Sequence, residues 1–172
     1  MNDIFCTSLQ IIRAFDDFVA THSLVGRAKA DHICYKCAST KSFEEIRSTF
    51  EGDSAFVYQS IIAGRRIAII RFHEPLKTAL GPISLLELSD QKPDGSQKDG
   101  LEHIEIYPTH GSTNDLVTHL TSQNVTIKTI VRPHHTTHDM TLVDDFKIRI
   151  ENEPLMQKIV QEEIMHNKLL TT

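Results

Sequence analysis

The chain has 172 residues, of which 40% are hydrophobic and 24% are charged, the proportions of an ordinary globular domain. Its 18 basic and 23 acidic side chains give a formal net charge of −5, so the composition favours neither disorder nor a nucleic-acid partner. No apolar run approaches the roughly 20 residues that cross a bilayer, and the segment from Met1 to Ile4 lacks the basic start of a secretory signal. We therefore expect a cytoplasmic protein without a membrane partner.

The first half of the chain predicts a helix followed by a βαβββ module over residues 30–90. Apolar residues recur every three to five positions from Asp3 to His22, which predicts an amphipathic helix within residues 3–25. Strand, turn and capping signals then predict the module's elements in this order: strand Ala30–Cys37, helix Phe43–Phe50 opened by Ser42 and closed by Gly52, and strands Ala55–Ile62, Arg66–Phe72 and Ile83–Leu88.

The second half repeats this order over residues 100–153, after a polar, turn-forming linker from Ser89 to Gly100. We predict strand Leu101–Tyr107, helix Asp115–Gln123 with Ser112 or Thr113 as N-cap, strands Val125–Val131, Met140–Val143 and Phe146–Glu151, and a terminal helix Pro154–Lys168. The expected architecture is a single α+β domain over residues 1–172, with two βαβββ modules in one mixed sheet and a helix at each end.

A short repeat of an acid, a histidine and an isoleucine opens both modules. Asp31-His32-Ile33 starts the first and Glu102-His103-Ile104 the second. An acid also closes each module, since Glu87 follows His32 by 55 residues and Glu151 follows His103 by 48. We therefore expect these two histidines and two glutamates to converge on one cleft.

Two imidazoles and two carboxylates in one closed cleft need a counter-charge, because burial penalises unpaired carboxylates. A divalent cation supplies it, and nitrogen and oxygen donors without a thiolate suit Zn²⁺, Ni²⁺, Co²⁺, Mn²⁺ or Fe²⁺. The sequence thus predicts one divalent metal ion held by His32, Glu87, His103 and Glu151. The alternative is that the histidines are ordinary hydrogen-bonded strand residues.

Strand alternation extends the candidate site to further polar residues. Glu105 shares a strand face with His103 and is a candidate general base or a residue that orients the metal ligands. Arg71 and His73 alternate with apolar neighbours and are candidates for binding substrate, and a charged edge strand is the alternative.

A polar stretch after Pro133 carries three histidines, His134, His135 and His138. We expect a loop at the mouth of the cleft, with His134 or His138 reaching the metal or the substrate. A surface loop without such a role is the alternative.

The three cysteines of the chain are too few for a disulfide framework. Cys34 and Cys37 lie three apart in a predicted strand, so their side chains point to opposite faces. We interpret them as reduced thiols, and a redox or zinc C-x-x-C motif is the less favoured alternative.

At these residues the chain resembles the vicinal oxygen chelate superfamily, which includes glyoxalases, bleomycin-resistance proteins and extradiol dioxygenases, and in particular its YecM-like branch. The resemblance rests on four segments: residues 30–37, Ile62 to Pro75, Leu86-Glu87-Leu88 and Glu102 to Ile106. It implies a cupped, glyoxalase-like sheet around a metal bound at His32, Glu87, His103 and the Glu151 position, with Glu153 as the alternative there.

Three functions remain open. The first is a metal-dependent isomerase, lyase or epimerase, in which the cation binds a small oxygen-rich substrate and stabilises a developing enolate or oxyanion. The second is a non-haem Fe(II) dioxygenase with two histidines and one carboxylate. The third is a protein that binds a small ligand without catalysis. In each case we expect a small-molecule partner, no nucleic acid, and a monomer or homodimer.

Overall fold

The computed structural model describes residues 2–52, 54–62, 64–131 and 136–161. The elements follow the chain in this order: α1 (Asn2–Thr21), β1 (Ala28–Lys36), α2 (Thr40–Glu51), β2 (Ser54–Ile62), β3 (Arg65–Leu76), β4 (Ile83–Ser89), β5 (Gly100–Pro108), α3 (Thr113–Ser122), β6 (Lys128–Val131), β7 (Thr136–Val143) and β8 (Phe146–Ile150). Residues 155–161 are helical.

The eight strands form one mixed sheet in the order β2-β3-β4-β1-β5-β8-β7-β6. Within the first module β1 lies parallel to β4, and within the second β5 lies parallel to β8. The modules join where β1 and β5 pair antiparallel. The predicted fold class is therefore confirmed, and the opening strands of both modules lie side by side at the centre of the sheet.

One face of the sheet, which we call the helix face, is packed against α1, α2 and α3. Its central strands contribute isoleucines such as Ile33 and Ile104, and the helices contribute Phe15, Phe43 and Leu120 to the same buried cluster. The burial of these large apolar side chains supplies most of the driving force for folding. The opposite face carries the acid-His pairs, and we call it the site face.

The helical residues 155–161 lie over the site face. Leu155, Met156 and Ile159 pack against Ile67, Ile69 and Leu85. Leu85 pairs laterally with His32, and paired residues share a face of the sheet. The terminal helix predicted from the sequence therefore lies on the polar site face and not on the apolar face that α1 covers. Residues 162–168, the rest of the predicted helix, lie outside the described residues.

Several local predictions change in the structure. Strand β6 begins at Lys128, after the predicted Val125, and β7 begins at Thr136, before the predicted Met140. Helix α2 begins earlier than predicted, because Ser39 and not Ser42 is its N-cap: the Ser39 side chain accepts a hydrogen bond from the Ser42 amide at 3.0 Å. The predicted linker is a packed connection, in which the Gln97 side-chain amide donates to the carbonyl oxygens of Cys37 and Asp90 at 2.8 Å each.

Among the described helices, none combines the length and apolar character of a membrane span.

Candidate metal centre

His32 and His103 lie next to each other at the centre of the site face. They lie on the paired strands β1 and β5, their ring centroids are 5.8 Å apart, and their side chains are 0% and 1% exposed. This separation allows one ion to touch both rings, because metal–nitrogen bonds are about 2 Å long.

A β-bulge sets each histidine beside the acid that precedes it. On β1, Asp31 and His32 together oppose Glu105, because Ala30 pairs with Ile106 and Ile33 with Ile104. On β5, Glu102 is the extra residue of a second register shift. Bulges of this kind redirect side chains next to functional sites.

The two bulges produce the same hydrogen bond in each module. His32 Nδ1 lies 2.8 Å from Asp31 Oδ2, and His103 Nδ1 lies 2.5 Å from Glu102 Oε2. A carboxylate on Nδ1 fixes the orientation of the ring and leaves Nε2 as the nitrogen available to a metal.

His32 Nε2 is the buried atom that the described structure leaves without a hydrogen-bond partner in this cluster. It faces Glu87 of β4, whose Oε2 is 3.6 Å away. Glu105 lies on the other side of the ring, with Oε1 at 3.9 Å from Nδ1. The unpartnered nitrogen therefore points toward Glu87.

Two sets of potential ligands among the described residues have donor atoms within 4.8 Å of one another. One is His32, His103 and Glu105, and the other is Cys34, Glu102 and His103. Glu87 belongs to neither set. We nevertheless favour Glu87 over Glu105 as a partner of His32, because Glu105 approaches the nitrogen that Asp31 already occupies.

The two histidines respond oppositely to their surroundings. Burial opposes the charged form of His32, yet the carboxylates of Glu105, Asp31 and Glu87 raise its pKa to about 10. Burial, together with the positive charge of Arg149, lowers the pKa of His103 to about 4.

The glutamates at the site also differ. Burial raises the pKa of Glu105 to about 6, whereas for Glu87 the attraction of His32 outweighs burial and holds the pKa well below its usual range. Glu105 is thus suited to exchanging a proton near neutral pH, and Glu87 to remaining an anion.

The structure gives Glu151 a different partner from the one we predicted. Its Oε2 lies 3.0 Å from Nζ of Lys158, on the helical segment, which is also 3.5 Å from Glu105. Glu153, the alternative, accepts a hydrogen bond from Gln161 at 3.0 Å. That either glutamate is a metal ligand stays a prediction.

The similar spacings of 55 and 48 residues did not give the two modules the same register at these positions. In the first module Glu87 pairs with Cys34, two residues after His32. In the second module, the position two residues after His103 is Glu105, which pairs with Arg149. Arg149 binds Asp139 through two hydrogen bonds, of 2.7 and 2.8 Å.

The remaining candidates lie away from this cluster. Arg71 pairs with Leu85 on the site face, two strands from His32, and both Arg71 and His73 are exposed. Their predicted role in binding substrate stays a prediction, and His134 lies outside the described residues.

The prediction for His138 is wrong. It lies within β7 and not in a loop, and its Nδ1 is 3.0 Å from the Thr129 hydroxyl. It alternates with Asp139, so its side chain lies on the helix face, away from the candidate site.

The ionic side chains around the two histidines suit a divalent cation. Among the described residues, six carboxylates and four cationic groups contact the histidines or one another, which leaves two negative charges when the histidines are neutral: Asp31, Glu87, Glu102, Glu105, Asp139 and Glu151 against Lys36, Lys147, Arg149 and Lys158. Together with the unpartnered imidazole nitrogen, this excess charge shows that the residues present fit a divalent metal ion.

Comparison with known proteins places this architecture in a family. The family profile described as "YecM protein" matches residues 10–168. The chain belongs to the YecM family. Protein YecM of Escherichia coli (strain K12) is 30% identical over 107 residues, which are 62% of this chain and 57% of the Escherichia coli protein.

Comparison with solved structures supports the fold of this YecM-family chain through one structure of TM-score above 0.5. A structure described as "Structural Genomics, Protein EC4020" has a TM-score of 0.68 at 23% identity, over 94% of this chain and 92% of that one. A Streptomyces coelicolor methylmalonyl-CoA epimerase variant in complex with 2-nitronate-propionyl-CoA has a TM-score of 0.48 at 14% identity, over 72% of this chain and 96% of that one.

Sequence reasoning on this YecM-family chain missed Asp31, Arg149 and Lys158. Parity within a regular strand puts Asp31 on the face opposite His32, and only the bulge brings them together. For Lys158 the sequence held a signal. The apolar run from Ile67 to Ile70 indicates a strand covered on both faces, and the segment that carries Lys158 is the cover on the site face.

Proposed function

We propose that His32, Glu87 and His103 hold a divalent metal ion and that the protein is a metal-dependent enzyme acting on a small oxygen-rich substrate. The observation that carries this proposal is the buried, unpartnered Nε2 of His32, which faces the Glu87 carboxylate. A bound divalent cation would supply Lewis-acid stabilisation of negative charge on a substrate oxygen. The reaction class that we favour is isomerase, lyase or epimerase chemistry.

In this proposal Asp31 and Glu102 orient the metal-binding histidines. Each accepts the hydrogen of Nδ1, at 2.8 and 2.5 Å, and so aims Nε2 away from the strand. The carboxylates also make the rings more basic, which strengthens metal binding.

Glu105 is the proposed proton carrier. It is buried at the centre of the site face, and the pKa of about 6 lets its carboxylate accept a proton at neutral pH and return it. Lys158, 3.5 Å from Glu105, holds the carboxylate in place and balances its charge.

The helical residues 155–161 exclude water from the proposed site. Leu155 donates its amide hydrogen to Asp31 at 2.9 Å, and the apolar side chains of the segment pack on β3 and β4. A low local dielectric strengthens the electrostatic interactions inside the site.

A second candidate is a non-haem Fe(II) dioxygenase. It is favoured by the pairing of Glu151 with Lys158, which leaves two histidines and one carboxylate, the ligand set of such oxygenases. Oxygen uptake by the protein loaded anaerobically with Fe²⁺, measured with catechol-like and keto-acid compounds, distinguishes this candidate from the first.

Metal content tests the binding half of the proposal. Protein stripped with a chelator and reloaded with Zn²⁺, Ni²⁺ or Mn²⁺ should hold about one ion per chain by elemental analysis. His103→Ala and Glu87→Gln should weaken binding by more than the roughly 10- to 100-fold that loss of an outer partner costs. His110→Ala, at an exposed position, is the matched control. A wild-type chain that takes up none of the three metals overturns the proposal.

The Glu105→Gln variant tests the catalytic half. It keeps the shape of the side chain, so metal content should stay at the wild-type level. Metal-loaded wild-type protein should exchange carbon-bound hydrogen of small keto and carboxylic acids with D₂O, and Glu105→Gln should not. Ligand binding without exchange in the wild-type protein would instead identify a non-catalytic binding protein.

A further inference from the structure

Cys34 lies at the centre of the candidate site. It is on β1, between β4 and β5, and its lateral partners are Glu87 on one side and His103 on the other. The side chain is fully buried, and Sγ donates a hydrogen bond to Glu87 Oε1 at 3.3 Å. An ion bound between Glu87 and His103 would therefore lie over this sulfur.

The distances from Cys34 to residues of β5 agree with an ion bound over the sulfur. The Cys34 sulfur, a Glu102 oxygen and a ring nitrogen of His103 all lie within 4.8 Å of one another. Cys34 thus has potential metal ligands on both sides, Glu87 on β4 and His103 on β5.

A separate observation points to the same place. His32 Nε2, buried and without a hydrogen-bond partner, lies 3.6 Å from Glu87 Oε2, the second oxygen of the carboxylate that Cys34 contacts. A nitrogen and a sulfur donor therefore approach the two oxygens of one carboxylate. Sequence reasoning placed no thiolate in the ligand set, because Cys34 belongs to neither copy of the acid-His-Ile repeat.

We propose that Cys34 is a thiolate ligand of this metal centre and gives it a preference for Zn²⁺ and Co²⁺ over Mn²⁺. The inference rests on the proposed function and deepens it by naming the class of metal. Thiolate donors favour softer cations, whereas a site of oxygen donors suits Mn²⁺ or Mg²⁺.

Binding of the ion would break the S–H bond of Cys34 as the sulfur–metal bond forms. The proton would leave to the buffer, while Glu87 stays an anion and a ligand. Neither the sulfur nor the metal changes oxidation state. Metal ions bind thiols in the deprotonated form, so each bound ion should release this proton.

Cobalt spectroscopy tests the inference without reference to activity. The chain has three cysteines, so the double variant Cys6→Ala/Cys37→Ala retains Cys34 as its sole cysteine. Loaded with Co²⁺, this variant should show the near-ultraviolet charge-transfer absorption of a cobalt thiolate, and adding Cys34→Ser should remove that absorption. Cys34→Ser should also lower Zn²⁺ affinity by at least about 10-fold and leave Mn²⁺ affinity unchanged.

The outcomes separate this inference from the proposed function. Stoichiometric Co²⁺ without thiolate absorption in the double variant overturns the role of Cys34 and leaves the metal centre intact. A double variant that is folded by circular dichroism but binds no Co²⁺ overturns both. Because the absorption is measured in the chain that retains Cys34, the result does not depend on whether Cys34→Ser folds.

Discussion

The two modules place equivalent histidines side by side in opposite electrostatic surroundings. His32 lies near Asp31, Glu87 and Glu105, and its pKa is raised to about 10, whereas the pKa of His103, near Arg149, is lowered to about 4. Both rings are buried and both are bound by the preceding acid. Burial and the acid-His pair are therefore common to the modules. The difference comes from the other charged neighbours, which are Glu105 and Glu87 for His32 and Arg149 for His103.

Two of these neighbours, Glu87 and Arg149, come from the last strand of their modules. The position two residues after the histidine pairs with Glu87 in the first module and with Arg149 in the second. The sheet thus keeps the same backbone arrangement in both halves but reverses the charge at one position. The first module is therefore the more negative half, in agreement with the metal site that we propose there.

Removing Arg149 should have one of the largest effects on stability. Arg149→Met leaves the carboxylate of Asp139, which is buried, without its two hydrogen bonds. The loss of one partner of a buried ion pair costs about 3–5 kcal/mol. Urea unfolding followed by circular dichroism measures this cost.

Lys147→Met is the control for that experiment. Lys147 lies on β8, the strand of Arg149, and pairs with Glu102 of β5 at 3.4 Å. Because it is 35% exposed, its removal should cost less than about 1 kcal/mol. The double variant Asp139→Asn/Arg149→Met should recover part of the loss. Equal costs for Arg149→Met and Lys147→Met would contradict a structural role for the reversed charge.

The opposite pKa shifts predict opposite pH dependences in metal-stripped protein. The stabilising contribution of protonated His32 should be complete below its ordinary pKa of 6.5 and lost as the pH rises toward about 10. That of neutral His103 should be present above pH 6.5 and lost as the pH falls toward about 4. At 1.36 kcal/mol per pKa unit, the change should be about 5 kcal/mol for His32 and about 3 kcal/mol for His103.

The variants His32→Gln and His103→Gln isolate these contributions. The difference in unfolding free energy between wild type and His32→Gln should shrink between pH 6.5 and 10, and that for His103→Gln should shrink between pH 6.5 and 4. Urea unfolding at a series of pH values measures both. Parallel pH profiles for the two variants would show that the charged neighbours, Glu105 and Glu87 on one side and Arg149 on the other, do not control the two pKa values.

The central strands and their histidines could be predicted from the sequence, because the acid-His-Ile repeat is local and strand alternation fixes which residues share a face. The position of Glu151 could not. Counting residues from His103 passes through a helix and three strands whose lengths differ between modules, so the spacing of 48 residues does not determine the register. Register depends on the pairing of β5 with β8, which is set by the packing of the whole face.

The acid-His pairs also show a limit of strand alternation. A regular strand places Glu102 opposite His103, and no residue in the repeat signals the bulge. The position of the helical residues 155–161 over the site could not be predicted for a different reason. The apolar residues Leu155 and Ile159 fit a helix on either face of the sheet, and only their contact with Ile69 decides which.

The next difference between the modules is the second partner of each acid, Asp31 in the first and Glu102 in the second. Asp31 also accepts the amide hydrogen of Leu155 at the start of the helical segment, whereas Glu102 pairs with Lys36 and Lys147 on the strands. Asp31→Ala should therefore cost about 1 kcal/mol more through loss of this cap. It should also accelerate amide hydrogen exchange in residues 155–161. Glu102→Ala should leave that exchange unchanged, and acceleration by both variants would contradict the assignment.

The smallest predicted difference concerns the helix that follows the opening strand of each module. Both helices begin with a serine N-cap, Ser39 in α2 and Ser112 in α3, so Ser39→Ala and Ser112→Ala should each cost about 1 kcal/mol at pH 7. The third helical residue differs, since it is Ser42 in the first module and Asp115 in the second.

This difference should make only the second cap depend on pH. Hydrogen bonds from Ser112 lower the pKa of Asp115, so their contribution is present above the ordinary pKa of an aspartate and is lost as the pH falls through the lowered value. The destabilisation by Ser112→Ala should therefore decrease between pH 7 and pH 3, while that by Ser39→Ala stays constant, because neither Ser39 nor Ser42 titrates. A constant cost for both variants in urea unfolding would show that the Ser112 amide and hydroxyl gain nothing from the charge of Asp115.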